Sequence, residues 1–470
     1  ILLGRKELFE GLWIAKSGYE WPVYGVIHLD FSSLDSTDAA TVKTSLCRDL
    51  ANIATEYGLS IDLSSSSPND ALKTLVRALF VKFEKVAILI DEYDHAILTT
   101  LHGLQLNEVL SVVQSFFVTV KSLGEYIHFL FLTGVTAFAK AGLFSGLSHP
   151  KDLSRRPEYA GLCGYTEEDI DIYFIPYLEK IAKKKNMSLA DLKVELKKMY
   201  NGYRFAEDAP AVYNPFSFIS ALDSGELENF WFDSGTPSFL IEILKREYAK
   251  KNFSIFQMEE FRVSKMEPKY FDVNAISLPA LMLQTGYLTL KSFSEGIYTL
   301  GFPNLEVQAA LQRHMLNILL ELDLNEISIF SNDLAIALAH EEIPKVISLL
   351  KMLCSHVPSK LHISKEKFYH ALLIVAFQAC GMKVLAEHAT ADGSMDLVLE
   401  FSKIIYVVEI KFNKSAKNAL KQIEEKEYYQ PFLEAGKTIR LLGINFARKT
   451  AKETGKTSFF TITAESKLLS

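Results

Sequence analysis

The stretch MDLVLEFSKIIYVVEIKF, residues 395–412, has the β-branched and aromatic character of a buried strand pair, yet it carries Asp396, Glu409 and Lys411. Burying even a neutral polar group without a partner costs about 2–7 kcal/mol, so these three must be compensated. A divalent cation is one way to do it. Side chains alternate along a strand, which puts Glu409 and Lys411 on one face. A hairpin symmetric about Ser402 and Lys403 sets Asp396 opposite Glu409, with Cβ atoms about 4.5–5.5 Å apart. Two carboxylates at that spacing can share a hard cation that keeps several waters, Mg²⁺ or Mn²⁺. Lys411 beside it can orient a water nucleophile or stabilise charge on a phosphate oxygen. Edge-strand charges facing solvent are the plain alternative.

The flanking sequence extends the set. Gln422 and Lys426 in KNALKQIEEKEYYQ are four apart and project from one helical face, and Glu366 and His370 in EKFYH repeat that spacing on the preceding helix. Tyr428, in the same run as Gln422, is a further accessory candidate. A helix over 364–380, a strand over 383–388, the hairpin, a helix over 414–434 and a strand over 438–445 predict a compact α/β unit.

The N-terminal third alternates differently. PVYGVIHLDFS (22–32), KVAILIDEYD (85–94) and YIHFLFLTGVT (126–136) read as buried strands, separated by helical patterns over 38–57, 70–82 and 105–123. Continuous apolar strands alternating with helices predict a parallel sheet covered on both faces. Between about 165 and 355 the pattern is helix-dominated, with YNGYRF (200–205) and YNPFSF (213–218) in loops. The expected domains are therefore 1–160, a helical middle over 161–358, and 359–470.

IDEYD at a strand end reads as a Walker B element, with Asp91 holding Mg²⁺ through water, Glu92 polarising the attacking water, Asp94 just beyond, and Thr133 at the next strand tip near a terminal phosphate. An acidic turn at a strand end is the plain alternative. No G-x₄-G-K-[ST] occurs in the chain, and GKT at 436–438 and 455–457 lacks the glycine spacing and leads into β-type sequence. Without that loop's N–H donors and lysine, ATP binding by these residues is not expected.

The 470 residues exceed one ordinary core, and 49% hydrophobic content is a globular composition. Cys47, Cys163, Cys354 and Cys380 form no C-x-x-C pair, which argues against a structural zinc or disulfide framework and for a reducing, cytoplasmic setting. No apolar run approaches the roughly 20 residues that span a bilayer, and no signal peptide is apparent, so no membrane partner is expected. Ile1 in place of Met suggests a longer parent polypeptide. Net charge is −7, but residues 360–470 hold 17 Lys and Arg against 12 Asp and Glu. That basic excess suits nucleic-acid phosphate, or is an ordinary lysine-rich surface.

The spacing D-x₁₂-E-x-K followed by QIEEKEYY resembles the PD-(D/E)XK nuclease superfamily, and more narrowly the nuclease-like domain C-terminal to a divergent AAA-ATPase-like domain in bacterial proteins. LFEGLWI (8–14), ILIDEYDHAI (88–97), FLTGVTAF (131–138), LFSGLSH (143–149), YNGYRF, YNPFSF, QTGYLTL (284–290), GFPNLEV (301–307), FYHALL (368–373) and GINFARK (443–449) follow that two-domain pattern in order. The resemblance implies an α/β fold with a P-loop-NTPase-like sheet, a helical middle and a nuclease-like domain. It also implies metal-dependent hydrolysis of nucleic acid, DNA before RNA, with Asp396 and Glu409 as metal ligands, Lys411 as the catalytic lysine and Gln422 as the helix glutamine. Ser394 stands where the family usually has arginine, which weakens the expected phosphate contact. In that family a Gly-Lys-Ser loop precedes the segment where this chain begins. Two other readings stay open: an inactive nuclease fold whose helical middle binds a protein partner, and an ATPase whose phosphate loop lies upstream.

Overall fold

The computed structural model describes residues 1–61, 63, 67–101, 104–136, 151–231, 238–249, 260–264, 277–357, 366–390, 393–401, 403–450 and 457–469. LFSGLSH and Ser402 lie outside them. The chain divides into two compact units, one of residues 1–153, 262–285 and 293–298, the other of residues 154–261, 286–292 and 299–470.

In the first unit, β1 (Gly25–Asp30), β2 (Val86–Asp91) and β3 (Ile127–Leu132) form a parallel sheet in the order β1-β2-β3. The intervening helices are α1 (Ala39–Glu56), α2 (Pro68–Phe83), the short α3 (His95–Thr100) and α4 (Leu106–Ser122). Their starts follow from local chemistry. Asp38 accepts the Ala40 and Thr41 N–H groups, and Ser67 accepts from Asp70 with Pro68 at the first helical position.

The expectation of helices on both faces of this sheet is corrected. Gly25 faces α2, since a Cβ there would lie 2.9 Å from Leu79 Cβ, so Ile27, Leu29, Ile88 and Ile90 share the helix-covered face. Phe129 and Phe131 pair with Ala87 and Leu89 on the other face. They remain 42% and 41% exposed and stack on each other with centroids 6.2 Å apart. The apolar runs predicted two-sided burial; among the described residues, helices cover one side.

The middle of the chain is largely helical, as expected, but short strands also appear, among them Thr289–Ser294 and Ile297–Gly301. Gly202 of YNGYRF, at φ 114°, packs against the backbone of GFPNLEV: a Cβ there would lie 2.0 Å from Pro303 O. Asn214 caps a helix over Pro215–Ser224, so YNPFSF is a helix start and not a loop. Further helices run over Leu305–Leu320, Leu324–Ala339 and Ile343–Ser355. Then come α5 (Glu366–Ala379), β4 (Lys383–Thr390), β5 (Gly393–Glu400), β6 (Ile404–Phe412), α6 (Ala416–Glu425), β7 (Thr438–Thr450) and β8 (Thr457–Leu469). These strands make a mixed five-stranded sheet in the order β8-β7-β6-β5-β4, with only β6 and β7 parallel.

The helix predicted over 414–434 is interrupted: α6 ends at Glu425, Glu427 takes φ 47°, and a 3-10 turn follows at Gln430–Ala435. Pro431 cannot donate into a continuing helix. The GKT at 436–438 is no phosphate loop, because Lys437 Nζ binds Glu400 at 2.8 Å and Thr438 opens β7.

Candidate nuclease-like site

The hairpin keeps the register expected from its symmetry. Leu397 pairs with Val408, Val398 with Val407, Leu399 with Tyr406 and Glu400 with Ile405. Continuing it by one residue sets Asp396 opposite Glu409. There the ladder changes character: the Ile410 N–H donates to Asp396 Oδ2 at 2.7 Å. The acid thus closes the pairing with its side chain.

One face of the sheet carries the charged set. Val398, Ile405, Val407, Ile439 and Leu441 pack with Ile423 of α6 and with Tyr428. Alternation then places Asp396, Glu409 and Lys411 on that same α6-covered face, together with Gly443 and Asn445, the β7 partners of Glu409 and Lys411. Gly443 lets the helix come close. A Cβ there would lie 2.4 Å from Ala416 O and 2.6 Å from Leu420 N. Asn445, only 3% exposed, accepts the Lys414 N–H at 2.9 Å, while Asn413 at φ 53° donates its N–H to Phe446 O. This turn leads into Ser415, whose hydroxyl caps α6. The opposite face is closed by Tyr369 of α5, stacked on Phe412 and Phe446 at 5.6 and 5.2 Å.

Glu409 is buried, with 2% exposure. Its Oε1 accepts from Lys411 Nζ at 2.6 Å, and its Oε2 is buried with no hydrogen-bond partner. Burial first, and the neighbouring Asp396 carboxylate second, push its pKa up to about 7, against the pull of Lys411. An orphaned carboxylate oxygen beside a second carboxylate is a position that a divalent cation satisfies. Among the described residues no group of three or more His, Cys, Asp or Glu side chains is arranged to hold a metal, so these acids offer a two-carboxylate set.

The accessory candidates divide. Gln422 is half-buried and its Nε2 lies 3.5 Å from Tyr428 Oη, while Tyr428 is itself part of the core under α6. Lys426 is exposed at the end of α6. His370, buried on α5, puts Nε2 3.3 Å from the Asp396 carbonyl, a contact that ties it to the hairpin. Glu366 begins α5, but its side chain and that of Ser394 lie outside the described set. Sequence reasoning passed over Gly443 and Asn445. A glycine inside an apolar strand was the available signal, since it marks close backbone approach.

In the first unit, Asp91 and Thr133 meet at the ends of β2 and β3. Asp91 Oδ1 accepts both the Thr133 hydroxyl and the Glu92 N–H. Glu92 is in the left-handed region at φ 47°, and its carboxylate lies 3.7 Å from His95 Nδ1. Asp94 has a different task. It is fully buried, accepts the N–H groups of Val135 and Thr136 and the Thr136 hydroxyl, and its pKa is raised by burial. These bonds fix the segment after β3. A pocket of about 210 Å³, lined in part by His28, Asp30, Asp49 and Asn52, opens at the end of β1.

Comparison with known proteins agrees with both halves. Residues 3–144 match the family described as "Predicted AAA-ATPase", and residues 364–454 match the PD-(D/E)XK nuclease superfamily. An uncharacterized protein from the vnfD 5′ region of Azotobacter chroococcum is 28% identical over 469 residues, covering 97% of this chain and 87% of its own. No solved structure matches.

Proposed function

We propose that this chain, which carries an N-terminal AAA-ATPase-like domain and a C-terminal PD-(D/E)XK nuclease superfamily domain, hydrolyses phosphodiester bonds of nucleic acid in its C-terminal domain. DNA is the substrate to try first. The observation that supports this most is the unpartnered, buried Glu409 Oε2 opposite Asp396, with Lys411 alongside. Asp396 and Glu409 would hold Mg²⁺ or Mn²⁺, which supplies charge neutralisation at the phosphate and lowers the pKa of water. Lys411 orients the nucleophilic water or meets charge developing on a phosphate oxygen. Gln422, on the helix over this face, takes the part of the superfamily's helix glutamine. The N-terminal domain then regulates or scaffolds the nuclease half.

The test incubates the purified chain with linear and supercoiled DNA and Mg²⁺ or Mn²⁺. Metal-dependent cleavage is expected, with Asp396→Asn and Lys411→Ala each losing about 100-fold or more. Cleavage that survives both substitutions ends the assignment.

Lys411 already occupies one Glu409 oxygen, and Ser394 stands at the position of the family's arginine, which favours a second reading: an inactive nuclease fold acting as a binding module. Calorimetry separates the two. Uptake of a protein partner with no uptake of Mn²⁺ or DNA selects the second.

A further inference from the structure

The helix behind the nuclease-like sheet has no free face. Along α5, Tyr369, Leu373, Val375, Ala376 and Phe377 are each 0% exposed. A polar side chain on such a helix needs an assigned partner, because buried polar groups are seldom left unpaired. From His370 to Ala379 the helix holds two, His370 and Gln378. Gln378 accepts from Gln312 Nε2 at 2.8 Å, and Arg313 Nε donates to Ala379 O at 3.2 Å, which anchors this end of α5 to the Leu305–Leu320 helix. At the other end Tyr369 is stacked on Phe412 and Phe446, the residues that follow Lys411 and Asn445. His370 is therefore held in place from both directions.

Its partner indicates what the imidazole is for. His370 Nε2 lies 3.3 Å from Asp396 O, and a carbonyl oxygen only accepts, so Nε2 carries the proton in this contact. Asp396 is the one position near the hairpin's end that strand pairing does not secure. On the β4 side the pairing passes from Leu397 with Ala386 to Met395 with His388, and on the β6 side it ends at Leu397 with Val408. Among the described residues neither ladder pairs Asp396. Its carboxylate is held by the Ile410 N–H at 2.7 Å and its carbonyl by His370. Two bonds at the two ends of the residue thus take over from the ladder.

Two other roles for His370 fit less well. As a ligand it would join Asp396 and Glu409 in a set of three, and no such set exists among the described residues. As packing alone it would need no N–H, and an apolar residue would avoid the cost of burying an imidazole.

We propose that His370 is a positioning residue of the nuclease-like site, holding the Asp396 backbone in the place from which its carboxylate meets a divalent cation together with Glu409. It acts from the sheet face opposite α6 and through Asp396 alone. This inference rests on the metal-dependent reading given above.

Calorimetric titration of the full chain with Mn²⁺, in the absence of nucleic acid, tests it. Removing the outer partner of a metal ligand commonly costs about 10–100-fold in affinity. His370→Phe keeps a ring and loses the donor, so its Kd for Mn²⁺ should rise about 10-fold or more. His370→Gln carries an amide nitrogen to the position of Nε2 and should stay within about threefold of the parent. Cleavage of linear DNA by His370→Phe should recover as Mn²⁺ is raised, whereas Lys411→Ala should not recover. Equal Mn²⁺ affinity in the parent and His370→Phe overturns the proposal and leaves the metal site standing. Equal weakening by Phe and Gln means that the ring only packs, and overturns it too. A parent chain that takes up no Mn²⁺ removes the metal-dependent reading itself, and the role of His370 with it. If circular dichroism shows that His370→Phe does not fold, His370→Asn, whose amide stops short of the carbonyl, replaces it with the same expected loss.

Discussion

Replacing Gly443 with alanine tests how closely α6 lies on the nuclease-like sheet. The new methyl would stand 2.4 Å from Ala416 O and 2.6 Å from Leu420 N. Both are backbone atoms of one helix, so no side chain can turn aside. Restoring an ordinary contact of about 3.4 Å requires α6 to lift by roughly 1 Å, or β7 to bend away from β6 by as much. Overpacking of this kind costs about 1–3 kcal/mol. A displacement of about 1 Å also suffices to cost on the order of 100-fold in a rate that depends on placement. Gln422 rides on α6, and Glu409 is the β6 partner of Gly443, so the shift falls on the proposed site directly. Urea denaturation gives the stability loss, and metal-dependent cleavage of linear DNA gives the rate. Removing the Ala419 methyl, which would be 3.0 Å away, should recover little in the double variant, because the backbone contacts remain. A Gly443→Ala protein within about 0.5 kcal/mol of the parent, cleaving at the parent rate, would refute the helix placement.

Two further outcomes follow from buried acids. In metal-free protein the Glu409 pKa of about 7 exceeds the value of about 4.3 expected in the unfolded chain. Its contribution is fully present below about pH 4.3 and is lost as pH rises through 7, a change of about 3–4 kcal/mol. Glu306 titrates in the same sense, so the comparison is with Glu409→Gln, whose curve of stability against pH between 5 and 8 should be flatter; parallel curves contradict this. Asp94→Ala strands the Val135 and Thr136 N–H groups and should cost about 2–4 kcal/mol in chemical denaturation, whereas a change below 0.5 kcal/mol would show that this carboxylate does not fix the segment after β3.

The hairpin was legible because its information is local. Period-two alternation and a symmetric turn determine the register, and together they set Asp396 against Glu409 from residues fewer than twenty apart. Capping signals were equally local, as Asp38 and Ser67 show. What sequence did not disclose depends on distant partners. The apolar β3 pattern says that Phe129 and Phe131 favour burial, but not whether a helix arrives to cover them. Asp94 looks like a member of an acidic nucleotide motif until the Val135 and Thr136 amides, some forty residues on, are seen to claim it. Gly443, a glycine inside an apolar strand, signals close backbone approach, but which element approaches is decided only by the placement of α6. The bond from the Trp231 backbone N–H to Glu306 joins residues 75 apart, and no periodicity encodes that.

The contact between Gly202 and the Pro303 backbone also orders events at the ribosome. Translation at about 5–20 residues per second puts roughly 5–20 s between the synthesis of these two residues. From the synthesis of Trp231 onward, Tyr203, Tyr213 and Trp231 have been made while the proline-bearing segment that closes over Gly202 has not. The nascent middle region therefore waits with this aromatic surface incompletely covered until the Pro303 segment is made.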